Sequence, residues 1–187
     1  KLITERTGLV VEIEQNLTWP QAYEKALASE LDALPAVSKT QDREQHFLFS
    51  QPYHFFKRVI VTRDDDSGIS GLKDLEKLTA VAVQENSSHH SYLISHPKIN
   101  LSLFDSVEAA LTAVANGSER AFVGNLATTN YLLKTNSLTN LKFIAFEAEE
   151  QQGIHFAVRQ DWPELITILD KVLDQITEEE RIAITNK

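Results

Sequence analysis

Arg43 is the residue in this sequence best suited to specific chemistry. It follows Ser38 and Thr40 and precedes an aromatic run, Phe47-Leu48-Phe49, that leads into Pro52-Tyr53-His54. A guanidinium offers a rigid planar fork of donors that matches a carboxylate, and it is costly to bury without an acceptor. Facing a cleft, Arg43 would recognise a small anion rather than transform it. Its neighbours Asp42 and Glu44 leave open the plainer reading of a solvated charge cluster. Ser38 and Thr40 can likewise serve as turn or cap residues. Tyr53, His54, Phe55 and Phe56 either line a cleft or pack a core.

Other chemistries find little support. The chain has no cysteine, which excludes disulfides, thiolate metal sites and cysteine nucleophiles. His89 and His90 are adjacent and so point apart, and His96 and His155 have no spacing relation to them. A zinc site needs three or four converging ligands. Ser88 and His89 are neighbours only in sequence, which does not make a nucleophile–base pair. No glycine-rich phosphate loop is present. No cofactor or metal is expected, and the chain does not read as an enzyme.

The elements that position these residues alternate between strands and helices. Apolar runs predict strands at 9–13, 32–37, 57–62, 78–83, 100–104, 121–124, 141–146 and 153–159. Helices are expected at 19–27, with Pro20 in the first turn; from Asp105 or Ser106 to Asn116-Gly117; and from about 127 to 133. A short helical turn is expected at 70–75. Asp161-Trp162-Pro163-Glu164 has the form of a capping box before a helix with an apolar face of Leu165, Ile168, Leu169, Val172, Leu173 and Ile176. Thr177-Glu178-Glu179-Glu180 repeats that signal for a final helix. Residues 1–8 read as the end of a helix capped by Gly8, so a segment upstream is expected. The pattern is α/β with a largely parallel sheet. Crossings near 62–68 and 147–153 suggest two lobes: residues 1–63 with 150–187, and residues 64–149.

The chain has 187 residues, 42% of them apolar, enough for one large domain or two small lobes. Its 18 Lys and Arg against 27 Asp and Glu give a formal charge of −9. That balance argues against nucleic-acid or anionic-membrane surfaces, which need basic patches. One arginine in a dry cleft can still outweigh the distant field. No apolar run is long enough to span a membrane.

Taken in order, Ser38-x-Thr40-x-x-Arg43, Phe49-Ser50-x-Pro52-Tyr53, Val81-Ala82-Val83-Gln84-x-x-Ser87-Ser88, Phe122-Val123-Gly124-Asn125 and the run from Gly153 to Arg159 resemble the family 3 extracytoplasmic solute-binding proteins. The likeness is closer to the periplasmic Venus-flytrap sensor domains of bacterial transmembrane sensor kinases. It rests there on the stretches 34–40, 123–128 and 177–181. The resemblance implies a two-lobed, periplasmic-binding-protein-like fold of type II, without the family's first strand and helix. It implies that Arg43 holds a ligand carboxylate, aided by the Ser38 hydroxyl, and that Ser87 and Ser88 complete the anion site from the second lobe. Asn125 matches a position where the family usually has an acid that receives an α-ammonium. An amide cannot neutralise a buried cation, so a carboxylate without an amine becomes the more plausible ligand. Asn125 reads equally well as a helix N-cap. Tyr53 is a candidate for the cleft lining. The implied partners are a small anionic or zwitterionic solute, adjoining transmembrane and cytoplasmic signalling domains, and a second copy in a homodimer. The implied location is the periplasm, within an inner-membrane protein. A transport-type amino-acid-binding protein and a ligand-free structural lobe are the alternatives.

Overall fold

The computed structural model of the chain describes residues 2–146 and 152–185. Helix α1 (Leu2–Thr7) ends at Gly8, whose φ of +73° and N–H bond to Thr4 O make the expected cap. Helix α2 (Trp19–Leu27) starts at a capping box: Thr18 Oγ1 accepts from Gln21 N, and Gln21 Oε1 accepts from Thr18 N. Residues 9–13 are not a strand. Val10, Val11 and Ile13 lie exposed, because no strand of the described sheets pairs with them.

The first sheet is built around β9 (Gln152–Arg159), which pairs antiparallel with β1 (Ala33–Ser38), β2 (Phe47–Phe49) and β3 (His54–Phe56). The β1 register shifts between Leu34 and Val37, around Pro35, which has no N–H for the ladder. Tyr23 and Ala26 of α2 pack on Leu34, Val37, Phe47 and Ala157. On the other side, Leu165 and Leu169 of α7 (Pro163–Asp174) cover Val158. The capping box expected at Asp161 does not form. Its carboxylate accepts two bonds from Arg159 instead, leaving Trp162 at the N-cap without a side-chain bond. The second box does form before α8 (Glu178–Thr185): Thr177 Oγ1 accepts from Glu180 N, and Glu180 Oε2 accepts from Thr177 N.

The second sheet has the order β6-β5-β7-β4-β8, from β4 (Arg58–Arg63), β5 (Val81–Gln84), β6 (Leu101–Phe104), β7 (Ala121–Asn125) and β8 (Leu141–Ala145). Strand alternation sends Ile60, Val81, Val83 and Val123 to one face and Val59, Val61, Ala82 and Phe122 to the other. Leu75 of the short α3 (Leu72–Leu75) and Leu93 of α4 (Ser88–Ile94) cover the first face; Ala110, Leu111 and Val114 of α5 (Val107–Ala115) cover the second. Helix α6 (Leu126–Thr135) follows β7 directly.

Two expectations need correction here. The sheet is not largely parallel: β5 runs parallel to β6 and β7, but β4 is antiparallel to β7 and β8. β4 enters from the first sheet and therefore runs against its neighbours. For the same reason the outward crossing falls at Lys57, because all of β4 is already paired in the second sheet. The return crossing expected near 147–153 falls mostly on residues 147–151, outside the described residues.

Candidate functional site

A cavity of about 220 Å³ is lined by residues from both sheets' surroundings: Ser38, Arg43, Ser87, Ser88 and Asn125 together with Trp19, Phe56 and His89. At about 30 Å³ per water, it has room for about seven. Five of the six residues singled out from sequence thus share one space. Tyr53 does not join them. Its ring packs on Phe156 with centroids 5.0 Å apart, and its hydroxyl donates to Pro35 O, so it belongs to the first-sheet packing. Phe56 is the member of that aromatic run that reaches the cavity, because its strand position turns it inward, while Phe55 is exposed. A broader depression of about 370 Å³ beside α2, lined by Gln21, Glu24 and Lys25, contains none of the expected site residues.

Arg43 begins a 3-10 turn (Arg43–Gln45) and is only 2% exposed. Its Nη1 donates to Ser38 O at 2.8 Å, and its Nη2 donates to Asn86 O at 2.5 Å. Its guanidinium also lies 5.6 Å from the Trp19 ring centroid and 5.4 Å from that of Tyr23. Burial lowers its pKa, and Tyr23 works against that shift. Among the described residues no carboxylate pairs with it. The bond to Asn86 O crosses from the first sheet to the second. Trp19 Nε1 donates to the same carbonyl at 2.9 Å. Asn86 has a φ of +56°, a left-handed conformation that asparagine tolerates.

Ser87 is the N-cap of α4, its Oγ accepting from His90 N at 3.1 Å. Among the described residues its hydroxyl proton has no acceptor. Asn125 is the N-cap of α6, and its Oδ1 accepts from Ala127 N at 2.8 Å and from Thr128 N at 3.2 Å. Both residues cap a helix and also line the cavity, with the capping oxygen occupied. For Asn125 this leaves the amide N–H groups.

Two cleft features were not read from sequence. Arg58 is 5% exposed, its Nε donates to His89 Nδ1 at 3.1 Å, and its Cζ stacks 3.8 Å from the Tyr92 centroid. Burial brings its pKa down to about 10. His89 packs edge-on against Phe56 at 5.6 Å, and its pKa is lowered to about 3 by burial and by Arg58 and Arg43. The visible signal was a basic residue opening an otherwise apolar strand, Arg58-Val59-Ile60-Val61. Among the described residues no acidic side chain lines the cavity, and no group of three His, Cys, Asp or Glu could hold a metal ion. No helix among them is long and apolar enough to cross a membrane.

Comparison with known proteins fits this geometry. The chain is 25% identical over 186 residues to the L-cystine-binding protein TcyA of Bacillus subtilis, covering 99% of this chain and 68% of that protein. It is 26% identical over 181 residues to the virulence sensor protein BvgS of Bordetella pertussis, covering 94% of this chain but 14% of that protein. A histidine kinase sensor domain with similarity to periplasmic binding proteins superposes with a TM-score of 0.84 at 27% identity, covering 92% of this chain and 75% of that one. The periplasmic VFT2 domain of BvgS superposes with a TM-score of 0.83 at 28% identity, covering 98% and 78%. These are periplasmic-binding-protein-like folds, as the resemblance implied. The family match runs over residues 1–187, and the chain belongs to the bacterial extracellular solute-binding proteins, family 3.

Proposed function

We propose that this chain is the periplasmic ligand-binding module of a transmembrane receptor, and that its ligand is a small carboxylate without an α-ammonium group. Arg43 and the Ser38 hydroxyl bind the carboxylate from the first lobe, and Ser87 and Ser88 from the second. The observation that carries the ligand class is Asn125. Among the described residues no acid lines the cavity with it, and its side-chain oxygen is committed to two helix N–H groups. A buried ammonium there would find no counter-charge among the described residues, a cost of several kcal/mol. The cleft is otherwise rich in donors, which favours an anion.

The receptor role is supported by the likeness to BvgS and to the histidine kinase sensor domain. A solute bridging both lobes would shift an open–closed equilibrium by its differential affinity for the two states. The termini suit such a readout. Arg6 on α1 donates to both carboxylate oxygens of Glu180 on α8 at 2.7 Å, so the two terminal helices are tied together. The adjoining segments would be transmembrane and cytoplasmic signalling domains in the inner membrane, where a homodimer is the expected assembly. The second reading, an amino-acid-binding component of a transporter, is favoured by the match to TcyA across nearly the whole chain. Asn125 weighs against it.

The test is isothermal titration of acetate, propionate, pyruvate, lactate and succinate beside alanine and cystine, on wild type and Arg43→Ala. The expected result is binding of at least one amine-free acid, tighter than either amino acid and at least a hundredfold weaker in Arg43→Ala. Tighter binding of alanine or cystine, or binding untouched by the substitution, would overturn the reading.

A further inference from the structure

Arg58 and His89 fix a hydrogen-bond donor in the cleft. Guanidinium nitrogen only donates, so the 3.1 Å contact from Arg58 Nε makes His89 Nδ1 an acceptor without a proton. A neutral imidazole carries one proton, which must then sit on Nε2. Burial and two nearby guanidinium groups keep the ring neutral. His89 is 9% exposed and lines the cavity. Its Nε2 has no acceptor among the described residues, yet it is not a sealed orphan. Among the described residues, the buried side-chain atoms without a partner are Arg6 Nη1 and Thr129 Oγ1. On a residue that lines the cavity, a donor that is neither partnered nor sealed is open to a solute there.

We propose that His89 is a specificity-determining residue, held by Arg58 as the Nε2–H tautomer so that it donates to a second oxygen of the solute, beyond the carboxylate on Arg43. The favoured solutes are then hydroxy acids, keto acids or dicarboxylates rather than simple aliphatic acids. This rests on the reading of the cleft as a carboxylate site. A buried donor left without its acceptor penalises a solute that lacks the oxygen, and loss of one such bond is on the order of tenfold in affinity.

The experiment compares propionate with lactate, pyruvate and succinate by calorimetry on wild type, His89→Leu and His89→Gln. It also records the imidazole nitrogen shifts of His89 by NMR without ligand. Wild type is expected to prefer an oxygenated acid about tenfold or more over propionate. His89→Leu should bring that ratio near one. His89→Gln, whose amide can accept from Arg58 and still donate, should keep most of it, which separates lost recognition from lost packing. The nitrogen shifts should report the Nε2–H tautomer. Acids that bind in an Arg43-dependent way with the ratio unchanged in His89→Leu would overturn the His89 role alone, as would an Nδ1–H tautomer. No binding of any acid to wild type would overturn both readings.

Discussion

Replacing Arg43 with lysine tests the bridge between lobes without any ligand. The guanidinium donates to Ser38 O in the first lobe and to Asn86 O in the second, at 2.8 and 2.5 Å. A single ammonium on a flexible stem keeps the charge but not the planar fork that spans both carbonyls. Losing one hydrogen bond from a charged donor costs about 1.5–3 kcal/mol. Weaker contact with the Trp19 and Tyr23 rings adds about 0.5–1 kcal/mol. The expected loss is therefore about 2–4 kcal/mol, and at about 2–4 °C per kcal/mol for a chain of this size, Tm should fall by about 4–16 °C. Differential scanning calorimetry of ligand-free wild type and Arg43→Lys at pH 7 measures this directly. Trp19→Phe removes the other donor to Asn86 O. The two substitutions share an acceptor, so their effects should be non-additive. A Tm within about 1 °C of wild type for Arg43→Lys would refute the idea that this side chain joins the lobes.

Asn125→Asp should leave thermal stability nearly unchanged, because aspartate caps a helix as well as asparagine does. It should raise affinity for alanine at least tenfold relative to propionate, since the cleft would then hold a counter-charge for an ammonium; calorimetry on both solutes checks this. His89 makes stability sensitive to acid. Its folded pKa of about 3 lies below the unfolded value near 6.5, so the unfolded state takes up the proton first as pH falls. Its contribution is fully present above pH 6.5 and declines towards pH 3, with a slope approaching about 1.4 kcal/mol per pH unit. Urea midpoints between pH 7 and pH 4 should therefore fall less steeply in His89→Gln than in wild type.

Several elements were legible because their causes are local. The Gly8 cap, the Thr177–Glu180 box, the α5 boundaries at Ser106 and Gly117, and the α7 apolar face all depend on residues within a few positions of one another. The failures mark where distant partners take over. Residues 9–13 have a strand-like composition but no strand beside them, and composition cannot supply one. The Asp161 miss is local instead: Arg159, two positions before it, takes the carboxylate that could have capped α7. Tyr53 could line the cleft, but Phe156 and Pro35 claim it.

By itself the sequence determined the alternating elements, the acidic balance, the lack of thiol chemistry, and the family pattern carrying Ser38, Arg43, Ser87, Ser88 and Asn125. Only the tertiary structure decided that these five meet around one cavity and that Arg43 is buried against carbonyls of both lobes. It also decided that Asn125 spends its oxygen on a helix, and that Arg58 sets the proton on His89. The reason is distance along the chain. Arg43 and Asn86 are 43 positions apart, and Arg58 and His89 are 31 apart. A sequence states which groups can donate or accept, but the fold alone brings a given donor within reach of a given acceptor.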